Sequence, residues 1–181
     1  MEKKLARIAS RQHGVVTHAQ ILAAGVSSRQ IDWRMRSGAL LPEHPGVYRV
    51  GHRAPSVEAR YLAAVLAAGD GALLSGRAAA HLFGLLKGAA LPPEVTTRTQ
   101  RRICGVKTRH SRHGKPATTY RGISVTTVAQ TLVDLAGHLP PDALARACHE
   151  AGVRYGTTPS QLDAIFERQP NVSTFGRLKE S

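Results

Sequence analysis

The sequence predicts an α+β fold: a helical unit closed by a hairpin, then a small domain of helices and strands. Three observations predict it. Helix-capping signatures stand in tandem at Thr17 and Ser27. Two apolar runs around a Pro/Gly cluster follow them, at 39–41 and 47–50. Beyond residue 56 the order is helical periodicity, then β-rich runs, then helical periodicity again, which suits an α+β domain.

The first unit is built by repetition of one device. Thr17 caps a helix, and Gln20, three residues on, reaches back to the cap N–H. Val16 and Ile21 stand where a hydrophobic staple needs them. Gly25 supplies a positive-φ stop. Ser27, Gln30, Val26 and Ile31 then repeat the pattern, and the second helix ends near Ser37-Gly38. Two capped helices across a short glycine turn form a helix-turn-helix. The apolar runs after it, separated by Pro42-Glu43-His44-Pro45-Gly46, read as a β-hairpin where a wing belongs. Before the pair, Leu5, Ile8 and Ala9 mark an amphipathic helix over 3–12, closed by Gly14.

Stepping about 100° per residue from Ile31 puts Met35 on the core side of the second helix. Arg29, Trp33 and Arg36 fall opposite, flanked by Gln30 and Arg34. Arginine can bridge guanine edges or grip phosphate, and glutamine can pair with adenine. The alternative is a solvated arginine face with Trp33 packed on a neighbour. The tandem caps and wing favour DNA.

These residues resemble a known family. Gly14-Val15-Val16-Thr17, Ala24-Gly25-Val26-Ser27, Arg36-Ser37-Gly38-Ala39-Leu40 and Pro45-Gly46-Val47-Tyr48 are similar to the N-terminal domain of AbiEi-type antitoxins. Downstream, Leu74-Ser75-Gly76-Arg77-Ala78-Ala79-Ala80, Gly122-Ile123-Ser124-Val125-Thr126-Thr127 and Thr131-Leu132-Val133-Asp134-Leu135-Ala136 resemble the same group. The resemblance implies a winged-helix autorepressor of a toxin–antitoxin operon, whose toxin is nucleotidyltransferase-like and is countered without a stable complex. Many actinobacterial relatives of this layout carry a further domain similar to very-short-patch-repair nucleases, beginning about where this chain ends at Ser181.

Composition points to a polyanionic partner. The chain has 181 residues, 25 Lys and Arg against 12 Asp and Glu, and a net charge of +13. No run approaches the ~18 apolar residues of a spanning helix. Met1-Glu2-Lys3-Lys4 lacks the apolar stretch of a signal peptide. Two separated cysteines, Cys104 and Cys148, make no disulfide framework, so a reducing cytoplasm is expected.

The expected domains are 1–53, the winged unit, and 54–181, the α+β domain, with a linker at 51–55. Ser56 caps a helix over 57–68. Ser75-Gly76-Arg77 opens an alanine-rich helix to about Leu85, and Arg77 at its start could grip a phosphate. Strands are expected at 94–97, 106–109 and 122–126. Between 98 and 121 lie Arg98, Arg101, Arg102, Lys107, Arg109, Arg112, Lys115 and Arg121 with no acidic residue among them. Eight unpaired cations repel one another, so either a solvated loop or a second backbone-contacting surface is expected. Thr127 and Gln130 cap a helix over 128–136. Further helices follow, one from Pro140-Pro141-Asp142 to Ala151 stopped by Gly152, and one capped by Thr158 with Pro159 at its first position. The tail from Gln169 is polar.

No catalytic constellation is evident. Cys104, His110 and His113 lack a second ligand pair for zinc. Cys148-His149 point to different faces of a helix, and Asp134 lies in a core-facing run. The acids form no cluster such as a metal nuclease needs. The expectation is therefore a non-enzyme without cofactor or metal: a sequence-specific, DNA-binding (auto)repressor acting as an antitoxin. Its candidate DNA contacts are Thr17, Ser27, Ser28, Arg29, Gln30, Trp33, Arg34, Arg36, His44, Arg49, Arg77, Arg98, Arg101, Arg102, Lys107, Arg109 and Arg112. The helix over 28–36 would enter the major groove, with the wing at 43–46 on the backbone. Two alternatives stand beside it: the targeting part of an endonuclease, and a basic RNA- or protein-interaction module.

Overall fold

The computed structural model describes residues 2–51, 56–112 and 114–168. Residues 52–55 of the expected linker, His113 and the tail from Gln169 lie outside the described residues. The N-terminal unit is α1 (Glu2–Arg11), β1 (Val15–Thr17), α2 (His18–Ala23), α3 (Ser28–Arg36), β2 (Leu40–His44) and β3 (Val47–Val50). Its antiparallel sheet has the order β1-β3-β2. Leu5, Ala9, Val16, Ile21, Val26, Ile31 and Leu40 form one buried cluster, so each helix contributes its predicted apolar stripe.

Both capping boxes form as read. Thr17 N–H donates to Gln20 Oε1 at 2.9 Å and Gln20 N–H to Thr17 Oγ1 at 3.2 Å. Ser27 and Gln30 do the same at 3.0 and 3.3 Å. Strand β1 is not anticipated by the sequence, because its three residues overlap the cap and staple of α2. It pairs Val15 with Arg49 and Thr17 with Val47, tying the start of the helix pair to the hairpin.

The hairpin corrects one expectation. The separator 42–46 is not all loop: β2 runs through Pro42 to His44, leaving a two-residue turn at Pro45-Gly46. Proline followed by a glycine at φ 73° is what a type II turn requires. Pro42 is tolerated because β2 is an edge, and the register slips by one between Pro42 and His44, a bulge.

The second unit comprises α4 (Val57–Ala68), β4 (Leu73–Leu74), α5 (Gly76–Leu82), β5 (Glu94–Thr97), β6 (Lys107–His110), β7 (Ala117–Tyr120), β8 (Ile123–Thr126), α6 (Val128–Ala136), α7 (Pro141–Tyr155) and α8 (Pro159–Arg168). Its mixed sheet has the order β6-β5-β4-β8-β7, with β4–β8 and β5–β6 parallel. Small side chains let α5 and α6 approach closely and let α4 lie flat on the strands: Ala63, Ala64, Ala78, Ala79, Ala80 and Ala136 are all buried. Val15 and Val47 of the N-terminal sheet belong to this same cluster, so α4 is packed between the two sheets.

Other elements of the second unit also differ from the sequence reading. Helix α5 stops at Leu82, with Phe83 as C-cap and Gly84 at φ 73°. Helix α7 runs through Gly152 and ends at Gly156, whose left-handed φ 61°, ψ 29° is the stop. Strand β7 is new and lies inside the segment read as a basic loop. Thr158 makes half of its expected box: its N–H donates to Gln161 Oε1 at 3.2 Å, while its hydroxyl bonds Ser160.

Candidate nucleic-acid interface

Helix α3 is held by one side and open on the other. Ile31 is 1% exposed and Met35 is half-buried against the cluster. Arg29, Gln30, Trp33 and Arg36 are exposed, Trp33 at 61%. The Trp33 indole is therefore mostly turned to solvent rather than buried on a neighbour. Arg34 is half-buried and flanks the face. Asp32, which the sequence reading passed over, is exposed on the same helix. A carboxylate there can accept from cytosine N4, and it repels phosphate.

Several predicted contact residues are committed elsewhere. Thr17 and Ser27 accept helix N–H groups through their hydroxyls, and Gln30 Oε1 accepts the Ser27 N–H. Bidentate pairing with adenine needs both ends of the amide, so Gln30 would have to leave its cap to make it. Ser28 is exposed at the first turn of α3. In the wing, Arg49 Nε donates to Glu43 Oε1 at 2.6 Å, bracing the hairpin across its bulge. His44 is half-buried; burial pushes its pKa below the usual histidine range, against the pull of Glu43. It is neutral near pH 7 and adds no cation to the wing. The turn is docked on α2: the His18 N–H donates to Gly46 O at 2.8 Å.

The basic segment is not eight unpaired cations, which corrects the sequence reading. Glu94 lies just before it, and Glu58 and Asp134 are brought to it by α4 and α6. Glu94 is 6% exposed beside the first turn of α5, with Lys107 Nζ at 3.6 Å and Arg109 at 3.7 Å. Arg109 also bonds His138 at 2.9 Å. Lys115 pairs with Asp134 at 2.6 Å, and Gln130 donates to the same carboxylate oxygen at 2.9 Å. Arg121 pairs with Glu58 at 2.7 Å. Among the described residues, Arg98, Arg101, Arg102 and Arg112 are exposed and carry no ion pair, as does Arg77 on α5.

The remaining candidates are accounted for locally. His110 Nε2 bonds Arg98 O at 2.9 Å and Cys104 is exposed. Among the described residues no three His, Cys, Asp or Glu side chains are grouped to hold a metal. Burial pushes the Cys148 thiol up, the opposite of an activated nucleophile. No helix among the described residues is long and apolar enough to cross a membrane.

Two capped helices, a third helix behind them and a hairpin joined to a three-stranded sheet make up a winged helix-turn-helix. Residues 3–51 match the family described as transcriptional regulator, AbiEi antitoxin. The N-terminal unit is thus similar to that of the AbiEi antitoxin family, as its quoted motifs suggested; the motifs between 74 and 136 lie beyond the matched residues. No curated protein matches the chain.

Proposed function

We propose that the protein is a sequence-specific, DNA-binding autorepressor and the antitoxin of a toxin–antitoxin pair. The exposed face of α3 carries this reading: Arg29, Trp33 and Arg36 stand free on a helix whose opposite side is locked by Ile31. Helix α3 enters the major groove, where Arg29 and Arg36 reach guanine edges and Trp33 packs on thymine methyls or sugar. Ser28 and Arg34 bracket it on phosphate, and the Pro45-Gly46 turn rests on the backbone. Arg77, Arg98, Arg101, Arg102 and Arg112 add phosphate contacts from the second unit, supplying affinity rather than sequence choice. It acts in the cytoplasm without cofactor or catalysis, and its toxin, nucleotidyltransferase-like by family resemblance, is countered without a stable complex.

Binding to a duplex of the gene's own upstream region, against scrambled DNA across a salt series, tests this. A preference of about a thousandfold or more is expected, with log affinity falling by about 0.9 per phosphate contact for each decade of salt. Equal affinity for both duplexes would refute sequence-specific repression.

A further inference from the structure

The two edges of the five-stranded sheet are guarded unequally. Edge β6 carries Lys107, Arg109 and His110. Edge β7 is Ala117-Thr118-Thr119-Tyr120, with no charge, no proline and no bulge in its pairing with β8, and its first three residues are exposed. Sheets normally blunt an edge with one of those devices, because an unguarded edge is a template for another strand.

The hairpin turn fixes which backbone groups face outward. Arg121 and Gly122 stand at φ 50° and 74°, as a two-residue type I′ turn requires. In such a hairpin Tyr120 and Ile123 exchange both hydrogen bonds, and hydrogen-bonded pairs alternate along the strands. The N–H and C=O groups of Ala117 and Thr119 therefore point away from β8.

We propose that β7 pairs antiparallel with β7 of a second copy of this chain, about a two-fold axis at Thr118. Ala117 then lies opposite Thr119 of the second copy, and Thr119 opposite its Ala117, so all the outward groups are used. Thr118 faces its own symmetry mate in a non-hydrogen-bonded pair. An axis at Thr119 would set Ala117 against Arg121, whose left-handed backbone cannot continue a strand.

Charge selects this edge for two copies that each carry +13. Pairing through β6 would oppose lysine and arginine, whereas β7 brings no charged strand residue into the seam. Lys115 and Arg121 flank it and come opposite one another, but each is already paired, with Asp134 and Glu58. Four-residue strands bury far less than the roughly 1,200 Å² of a stable interface, so the pair is weak in the free protein. A groove of about 520 Å³ beside the edge, lined by Phe83, Tyr120, Tyr155 and Ile165, adds apolar surface at the seam. The pairing is independent of DNA recognition, so it stands or falls apart from the repressor reading.

Cysteine trapping in the full chain, with Cys104→Ser and Cys148→Ala as background, tests it. Thr118→Cys is expected to form a disulfide dimer in at least tenfold greater yield than Thr119→Cys. The latter's Cα atoms would sit about 8–9 Å apart, beyond disulfide reach. Sedimentation velocity of the wild-type chain is expected to show a concentration-dependent shift that Thr119→Pro abolishes, since that change removes only an outward N–H. Trapping at 118 no greater than at 119, or capture at 118 of a different protein only, overturns the proposal.

Discussion

At the scale of single residues, the same side chain can satisfy two readings in sequence and only one in space. Gln30 is both a capping residue and a candidate base reader, and the fold gives its Oε1 to the Ser27 N–H. Arg29 and Arg36 carry no such commitment among the described residues. Arg29→Ala is therefore expected to lose about 1–3 kcal/mol of binding to the upstream duplex, and to relax preference at one base pair. Gln30→Ala instead lowers the melting temperature, through a cap effect of about 1 kcal/mol, while leaving base preference unchanged. Competition binding over single-site duplex variants, with melting curves beside it, separates the two; a base preference that changes in Gln30→Ala and not in Arg29→Ala would reverse the assignment. His44 gives a pH test. Its pKa is lowered in the fold, so the neutral form is favoured there. Its contribution is complete above the unfolded value near 6.5 and is lost as pH falls below that toward the folded value. His44→Gln is expected to flatten the fall in melting temperature between pH 7 and 5.

At the scale of elements, what was legible was what local chemistry decides. Helices α4 and α6 end where their caps and apolar stripes say, because each start and stop is written within a few residues of itself. The misses have equally physical causes. Strand β1 is too short to show alternation, and β7 gains its structure only from pairing with β8. Helix α7 passed a glycine that looked like a stop, because Leu144, Ala147 and Ala151 bury one continuous stripe that holds the next turn in place. Two glycines four residues apart in chain order thus have opposite meanings. A Cβ at Gly152 would meet only Thr157 O, at 3.9 Å, so Gly152→Ala is expected to stabilise by about 0.5–1 kcal/mol. Gly156 has open space around it but a left-handed backbone, so Gly156→Ala is expected to destabilise by about 1–2 kcal/mol. Urea denaturation of both variants checks the pair; equal signs would refute the helix end at Gly156.

At the scale of the whole molecule, charge is where sequence reading fell shortest, since ion pairs join residues far apart in the chain. The segment 98–121 holds no acid, yet Glu58, Glu94 and Asp134 reach it from α4, β5 and α6. Its eight cations therefore divide into two sets with different work. Lys107, Arg109, Lys115 and Arg121 tie the sheet to its helices, and Arg121 O also receives the His13 ring at 2.7 Å, linking the second unit to the end of α1. Arg98, Arg101, Arg102 and Arg112 are exposed without an ion pair among the described residues, and are the ones proposed to contact phosphate. Replacing any one of the latter by Gln is expected to lower the salt slope of DNA binding by about 0.9 without altering sequence preference. Lys115→Ala is expected to act on folding first. Its partner carboxylate is 9% exposed, and leaving that charge uncompensated costs on the order of 3 kcal/mol. Salt titrations and melting curves on the same five variants read both effects. If Lys115→Ala lowered the salt slope as much as the arginine changes and left stability intact, the division of the cations would be wrong.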